Sequence, residues 1–559
     1  MTVASPDSRK LLPSPLARAL LIFTLALSLR AVYGAMIADT GCLAINGDPI
    51  SDMETFHRWA LRIVEGDWLG RADFHPYHPW QRGIAPESTW LSWYGPRVFH
   101  QDPLYPYFVA VIYLLAPREP ISVIVIQFLL GSATAAGVYV LGRRLASERA
   151  ALVAGLLAAS YGPFLYYESL LLRDTLLVAM TTFFLIAIER ARDGGGWTRW
   201  GSAGALAGVI YLTKPNILLF LPLLAAWILL GGVTERRAVA MGALVAGFAF
   251  ALLPAVARNV AVGAPALRTT TRGAIEFING NNPYHAGIGW FDGDDLRVTG
   301  YAREVLSRTR GELLPTIGTV LSTWRGRYLD LAVLQIRKLG YLLAPFEMPN
   351  NASYAYFRTN SPVLRAGLPT FYLVSPLAAL GILASLPSWR RLAPHHLFLL
   401  AGGAATIAFY VIARFRIPYV PSLLVFAGIG LDRLLDLAGS RRYRALAAAL
   451  GFVLVLLAAN TFANYPDVDL VRPQDFVIAS DAYAARGEIE RAVLELGKGC
   501  EVFPEFAPLH VYSARMRERA GDRVGSLWEY REALRLEPSS REAAEALARL
   551  EGTTIAPAP

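Results

Sequence analysis

Asp52 and Glu54 stand at the start of the stretch Ser51 to Gly70, in which Phe56, Trp59, Ala60 and Ile63 share one face of an amphipathic helix. A carboxylate in that place can take a proton from a hydroxyl, or it can cap the helix that follows, and spacing leaves both readings open for Asp52. Glu168 precedes Arg173 and Asp174 at a turn between two apolar runs; it could orient a substrate or join a metal site, while Arg173 and Asp174 could pair with each other inside a bundle. Lys214, Arg258, Arg414 and Arg416 lie at the ends of apolar runs. Arginine binds phosphate oxygens through two bonds and lysine acts as a point charge, and either can instead snorkel to lipid headgroups. His57, His75, His78 and His100 fall in one loop with Asp52 and Asp102; His100 and Asp102 are candidates for a divalent metal ion, but the spacing matches no standard ligand motif, and His75 and His78 alternate with Pro76, Tyr77 and Pro79 in a loop, where exposed polar side chains are the commoner explanation. Asn281-Asn282-Pro283 is a turn signal that could shape an acceptor pocket, and Glu347 ends an apolar helix from Tyr328 to Pro345.

The segments that must position these residues belong in a bilayer. The chain is 54% hydrophobic and 17% charged, with a mean hydropathy of +0.38, which soluble domains rarely reach. The net charge of +9 falls in short basic clusters between apolar runs, where it sets topology, and nucleic-acid binding is not expected. Cys42 and Cys500 lie far apart without CxxC spacing and imply no disulfide framework. Runs long enough to span begin near Ala17, Pro120, Ala150, Leu170, Trp200, Pro215, Ala238, Ala366, His395, Ile417 and Tyr443, which predicts about eleven spans, within a range of roughly 10 to 13. The first reads as an uncleaved helix, since no small-x-small cleavage site follows it. The run Leu104 to Ala116 is too short to span comfortably and is read as an interfacial helix.

With Arg9 and Lys10 cytoplasmic, the segments carrying Arg143-Arg144, Arg190 to Arg199, Arg236-Arg237, Arg390-Arg391 and Arg441 to Arg444 also face inward, as the excess of positive charge requires. The same topology puts outside the loop 38–103, the turns at Glu168 and Lys214, the long loop 258–365 and everything after Ala463. Function is expected on that face. The expected architecture is all-α: a polytopic membrane domain over 1–463 and a small helical repeat domain over 464–559. In the tail, Gly487 recurs as Gly521 and Pro504 as Pro538, each 34 residues on, with Tyr483, Ala492 and Ala533 at aromatic or small positions of a helix pair. This resembles a tetratricopeptide module, although Arg517 and Ser526 replace residues expected at two packing positions.

Several pieces recur in the order seen in one superfamily. They are Arg30 in the first span, Asp52 followed by Phe56 and Ala60, GDWLG, QDPLYPYF, GRRLASERAALVAGLLAA, YLTKPNILLFLP, LPAVARNVAVG, FINGNNPYHAG, KLGYLLAPFEMPNN and RFRIPYVP. Together they resemble the lipid-dependent GT-C glycosyltransferases, especially glycosyltransferase family 39 with the protein O-mannosyltransferases and the lipid A aminoarabinose transferase, over nearly all of residues 15–435. Lys214 stands where an Arg-Pro pair is more usual, and His100-Gln101-Asp102 also departs from the relatives, which leaves the sugar open.

The resemblance implies transfer of a sugar from a polyprenyl-phosphate donor to a hydroxyl of a glycan, lipid or protein at the extracytoplasmic face of the bacterial inner membrane, with inversion. It implies a base near the acceptor and cations for the departing phosphate. Asp52 fits the base, with Glu54 and Glu168 as further catalytic candidates; partial desolvation would raise the Asp52 pKa. Lys214, Arg258, Arg414 and Arg416 fit the phosphate, and Asp102, Tyr105, Asn281, Asn282 and Glu347 the acceptor pocket. A divalent metal ion and a protein partner for the repeat module stay open. The alternatives are a flippase for the lipid-linked sugar, or a membrane scaffold built around the repeats.

Overall fold

The computed structural model describes residues 14–552 apart from 73, 96, 195, 234–235, 291–292, 464 and 466–469; Arg9 and Lys10 lie outside the described residues. Among those residues the fold is all-helical, with one isolated bridge between Ile288 and Val411. A helix or a bent pair occupies each apolar run: Pro15–Ile37, Pro120–Leu145, Glu148–Ser160 with Gly162–Glu168, Asp174–Arg192, Gly196–Thr213, Pro215–Gly232, Arg237–Val262, Phe371–Ser385, Trp389–Ala408, Val420–Gly439 and Tyr443–Phe462. Among the described residues six helices are long and apolar enough to cross a membrane, or seven with the bent pair as one span, where Phe371–Ala408, broken at Leu386–Ser388, counts as one. Arg237–Val262 and Tyr443–Phe462 are almost wholly apolar yet have only 11% and 6% of their apolar windows buried in protein. A helix that is apolar on every side and uncovered by protein is one that faces lipid.

Ion pairs close one end of the bundle. Arg143 meets Glu148 at 2.8 Å and Arg144 meets Asp193 at 2.6 Å, while Arg149 reaches Asp432 and Asp436. Halfway in, Arg30 makes a two-pronged pair with Glu168 at 2.6 and 2.7 Å. Gly131 permits it, because a Cβ there would lie 2.0 Å from the Glu168 Oε1.

The other end is built from the two long loops. Ser51 caps the Asp52–Val64 helix by accepting from the Glu54 N–H at 3.1 Å, so Asp52 is the first helical residue and is released from capping. Phe56, Trp59, Ala60 and Ile63 are buried, and Phe56 meets Tyr105 of the short Leu104–Leu115 helix at 5.0 Å between ring centroids. A second apolar core joins the loops, with Trp90, Trp93 and Tyr94 from the first and Phe277, Ile278, Val305 and Trp324 from the second.

After the last bundle helix come Pro473–Ala485, Ile489–Val502, Ala507–Arg519, Arg523–Leu536 and Arg541–Glu551, packed in sequence against one another. Gly487 and Gly521 take φ of 80° and 79°, the left-handed turn that ends the first helix of each pair at no steric cost. The tail rests on the loop end of the bundle: Tyr356 donates to Glu495 at 2.6 Å, Ser353 to the Leu470 carbonyl at 2.7 Å, and Phe476 and Ala479 enter the main core.

Candidate active site

Asp52 is the centre of the site. Its Oδ1 accepts from Gln101 Nε2 at 3.1 Å, and its Oδ2 accepts from Asn351 Nδ2 at 3.1 Å and from the Arg414 guanidinium at 3.0 Å. Those donors come from the first loop, the long loop and the turn Ala413–Phe415 between two bundle helices, so three remote segments converge on one carboxylate. Burial pushes the Asp52 carboxyl up, but the charges of Arg414 and Arg272 with the Asn351 and Arg414 hydrogen bonds outweigh it and hold the group well below the usual carboxylate range. The expected upward shift is therefore corrected: two guanidinium groups beside the carboxylate dominate its desolvation.

Arg272 stands at the start of the Gly273–Asn281 helix, where the helix dipole disfavours a cation. It is kept there by Glu276 at 3.6 Å and by the Trp290 ring at 5.1 Å. Asp102 is held by Arg173 at 2.7 Å, so Arg173 pairs across to the first loop and not with its neighbour Asp174. Burial pushes the Asp102 carboxyl up to about 7 against the pull of Arg173, with Glu276 adding to the rise. Lys214 lies 3.3 Å from the centroid of the Phe415 ring, next in sequence to Arg414. Burial, then the Arg272 charge and the neighbouring His75 and His78, push His100 well below its ordinary value, which keeps that imidazole neutral.

Four polar atoms around this cluster lack a hydrogen-bond partner though buried: both ring nitrogens of His100, Oδ1 of Asp102 and Nε of Arg272. Buried polar groups are nearly always satisfied, and a set of unmet donors and acceptors around a charged centre is what a polar, anionic ligand would complete. The arrangement offers an ionised carboxylate to an acceptor hydroxyl and several cations to a phosphate.

The remaining sequence candidates are committed elsewhere. Glu54 pairs with Arg58 at 2.7 Å on a groove away from the Asp52 donors. Glu168 is taken by Arg30 inside the bundle. Arg258 donates to the carbonyls of Leu69, Gly70 and Arg97 at 2.6, 2.7 and 2.7 Å and lies over Phe99, so it clamps the GDWLG turn. Arg416 donates to Glu347 at 2.7 Å and to the Phe346 carbonyl at 2.7 Å, so the two are paired with each other. Tyr105 is core and donates to Gln127 at 2.8 Å. Asn281 ties the Phe277 and Ala408 carbonyls together, and Asn282 forms its turn by accepting from the Tyr284 N–H at 2.9 Å. Guanidinium and amide groups find backbone carbonyls wherever loops cross, and sequence spacing does not reveal those crossings.

A metal at His100 and Asp102 does not fit. Among the described residues these two do not converge with a third ligand, Arg173 occupies the Asp102 carboxylate, and Arg414 already stands at Asp52. Gln101, Asn351, Arg272 and Glu276 are not among the site candidates that the sequence offers. A cation at a helix N-terminus, Arg272, is the one signal that could have been followed.

Residues 100–258 match the family model described as Dolichyl-phosphate-mannose-protein mannosyltransferase, a segment that includes Gln101, Asp102, Arg173 and Lys214. No curated protein matches the chain. Solved structures of the Archaeoglobus fulgidus oligosaccharyltransferase are similar at low level. One, tethered with an acceptor peptide, has 13% identity and a TM-score of 0.38 and covers 84% of this chain and 55% of that one. A second, AglB in complex with an inhibitory peptide and a dolichol-phosphate, has 15% identity and a TM-score of 0.36 over 84% and 56%. A third, in complex with Zn and sulfate, has 14% identity and a TM-score of 0.37 over 80% and 54%. The chain thus spans little more than half the length of these structures.

Proposed function

We propose, from the match of residues 100–258 to the Dolichyl-phosphate-mannose-protein mannosyltransferase model, that the chain transfers a sugar from a polyprenyl-phosphate donor to a hydroxyl acceptor at the extracytoplasmic face of the membrane that holds it. The observation that carries the reading is the Asp52 carboxylate shared between Arg414, Asn351 and Gln101, with unmet polar atoms around it. In this reaction the acceptor oxygen bonds to the anomeric carbon as the bond from that carbon to the phosphate oxygen breaks. The acceptor proton goes to Asp52, and the phosphate leaves with the bonding electron pair, opposite the attacking oxygen, which inverts the sugar.

Asp52 in the resting site is ionised but a weak base, because Arg414 holds it. A donor phosphate competes for Arg414 and Arg272. As those cations turn to phosphate, the carboxylate loses its counter-charge and its proton affinity rises. Lys214, stacked on Phe415 beside Arg414, adds positive charge to the same side.

The tail is read as a tetratricopeptide-like module that rests on the loops of the active-site end through Tyr356 and Glu495. Its role is to brace those loops or to bring a protein partner to them.

The test is mass spectrometry of envelope glycans, glycolipids and glycoproteins from cells lacking the protein, complemented with wild type or with Asp52→Ala at equal membrane abundance. Loss of one sugar-bearing product, its return with the wild type alone and accumulation of a lipid-linked donor support transfer. Full restoration by Asp52→Ala would remove Asp52 from the chemistry. Donor trapped on the cytoplasmic leaflet would assign the protein to lipid transport.

A further inference from the structure

In the tail, one ligand atom each from Cys500, His510 and Glu529 lies within 4.8 Å of the other two. The three residues come from three successive helices, Ile489–Val502, Ala507–Arg519 and Arg523–Leu536. The set combines a soft sulfur, an imidazole nitrogen and a carboxylate oxygen, a mixture that suits Zn²⁺ or Co²⁺ and does not suit the hard ions Mg²⁺ and Ca²⁺.

The surroundings have the form that a metal's outer shell takes. Nδ1 of His510 faces Glu529 Oε2 at 2.7 Å, while the other ring nitrogen is 3.1 Å from the Pro504 carbonyl. A histidine ligand characteristically donates its far N–H to a carbonyl, which fixes the ring and the tautomer. The second carboxylate oxygen of Glu529 accepts from Ser513 Oγ at 2.9 Å and lies 3.4 Å from Arg517. These contacts fix the orientation of the imidazole and of the carboxylate.

The same layer contains Arg517 and Ser526, the two residues that depart from tetratricopeptide packing, and the Ser526 hydroxyl is buried without a hydrogen bond. The apolar cluster beyond it is small: Val511, Ala514, Tyr530, Ala533 and Ala543. Stacked repeats ordinarily need about three units to be stable, and short modules make up the difference with a staple. A polar layer in that position weakens the stack unless something binds there. We infer that the tail holds one transition-metal ion of the Zn²⁺ class between Cys500, His510 and Glu529, a structural staple joining its two helix pairs. With a thiolate and a carboxylate as ligands, the divalent charge would be balanced.

The full chain, purified in detergent and freed of metal with a chelator, is titrated with Co²⁺, then Zn²⁺, and bound metal is counted by mass spectrometry. One equivalent of Co²⁺ with a sulfur-to-metal charge-transfer band, displaced by Zn²⁺, is expected. Cys42→Ala should keep the band and Cys500→Ser should lose it. Ser513→Ala, which removes only an outer contact, should weaken Zn²⁺ binding about 10-fold. Zn²⁺ should raise the thermal midpoint of the chain, and Mg²⁺ should not. A wild-type protein that gives no such band, or one whose band survives Cys500→Ser, overturns the inference without reference to transferase activity.

Discussion

Asp52→Asn separates the chemical role of the carboxylate from its place in the loop scaffold. The amide oxygen can replace Oδ2, where Asn351 and Arg414 donate at 3.1 and 3.0 Å, and its NH₂ then faces Gln101, whose own amide can turn to accept. The number of hydrogen bonds is preserved and one charge is lost. Weakening a hydrogen bond that was charged on both sides costs about 1.5–3 kcal/mol, so the thermal midpoint falls modestly. The rate should fall far more, by about 10²–10⁴-fold, the usual contribution of a positioned base. Donor affinity should move the other way or not at all, because Arg414 is no longer held by a competing carboxylate. The assay is single-turnover transfer from a short-chain polyprenyl-phosphate sugar, with donor binding measured separately on the same preparation. Full transfer by the variant would refute the base assignment. A parallel loss of rate and donor affinity would show instead that Asp52 merely holds Arg414 in place.

Other substitutions test where sequence candidates ended up. Glu168→Gln leaves Arg30 charged and buried without its counter-ion, and should cost about 3–5 kcal/mol of stability, read as a lowered thermal midpoint, with transfer per folded molecule unchanged. Arg258→Lys abandons most of the carbonyls of Leu69, Gly70 and Arg97; the loop should become protease-sensitive while donor affinity stays within about threefold, whereas a phosphate ligand would lose about 10-fold or more. Gly41→Ala drives a Cβ to 2.0 Å from the Tyr356 hydroxyl, beside Glu495; overpacking by about 1–3 kcal/mol should loosen the tail, detected as its release by limited proteolysis.

The bundle was legible because bilayer length and the placement of arginines repeat along the chain, and a single face of Phe56, Trp59, Ala60 and Ile63 was enough to place the first outer helix. Asp52, Lys214 and Arg414 were visible as charges at the ends of apolar elements. Their neighbours were not, because Gln101, Arg272 and Asn351 meet Asp52 through loop crossings that leave no periodic trace. The partners of Arg258, Arg416 and Glu347 were hidden for the same reason: they are carbonyls and a counter-ion supplied by distant loops. The direction of the Asp52 shift needed the structure too, since burial and two guanidinium charges act in opposite senses and only geometry says which is larger.

The balance of charge in the site gives a further test. The carboxylates of Asp52, Asp102, Asp174 and Glu276 face the cations Arg173, Lys214, Arg272 and Arg414, so the resting cluster is neutral when all are charged. A donor phosphodiester brings one further negative charge. The surplus raises the proton affinity of the two groups nearest to titrating: Asp102, pushed up to about 7 by burial against the pull of Arg173, and Lys214, pushed down to about 7 by burial and the Arg173 charge. The sign is therefore proton uptake on donor binding. A carboxyl that is about half protonated at pH 7 can take up at most about half a proton there, and less well below pH 6 or above pH 8 unless the shift is large. Calorimetric titration with donor in buffers of different ionisation enthalpy measures the uptake directly, and Asp102→Asn should lower it to the share carried by Lys214 while leaving Asp52 in place. Heats that do not depend on the buffer between pH 6 and 8 would mean that the phosphate does not enter this cluster. The competition between donor and Asp52 for Arg414 would then fall with it.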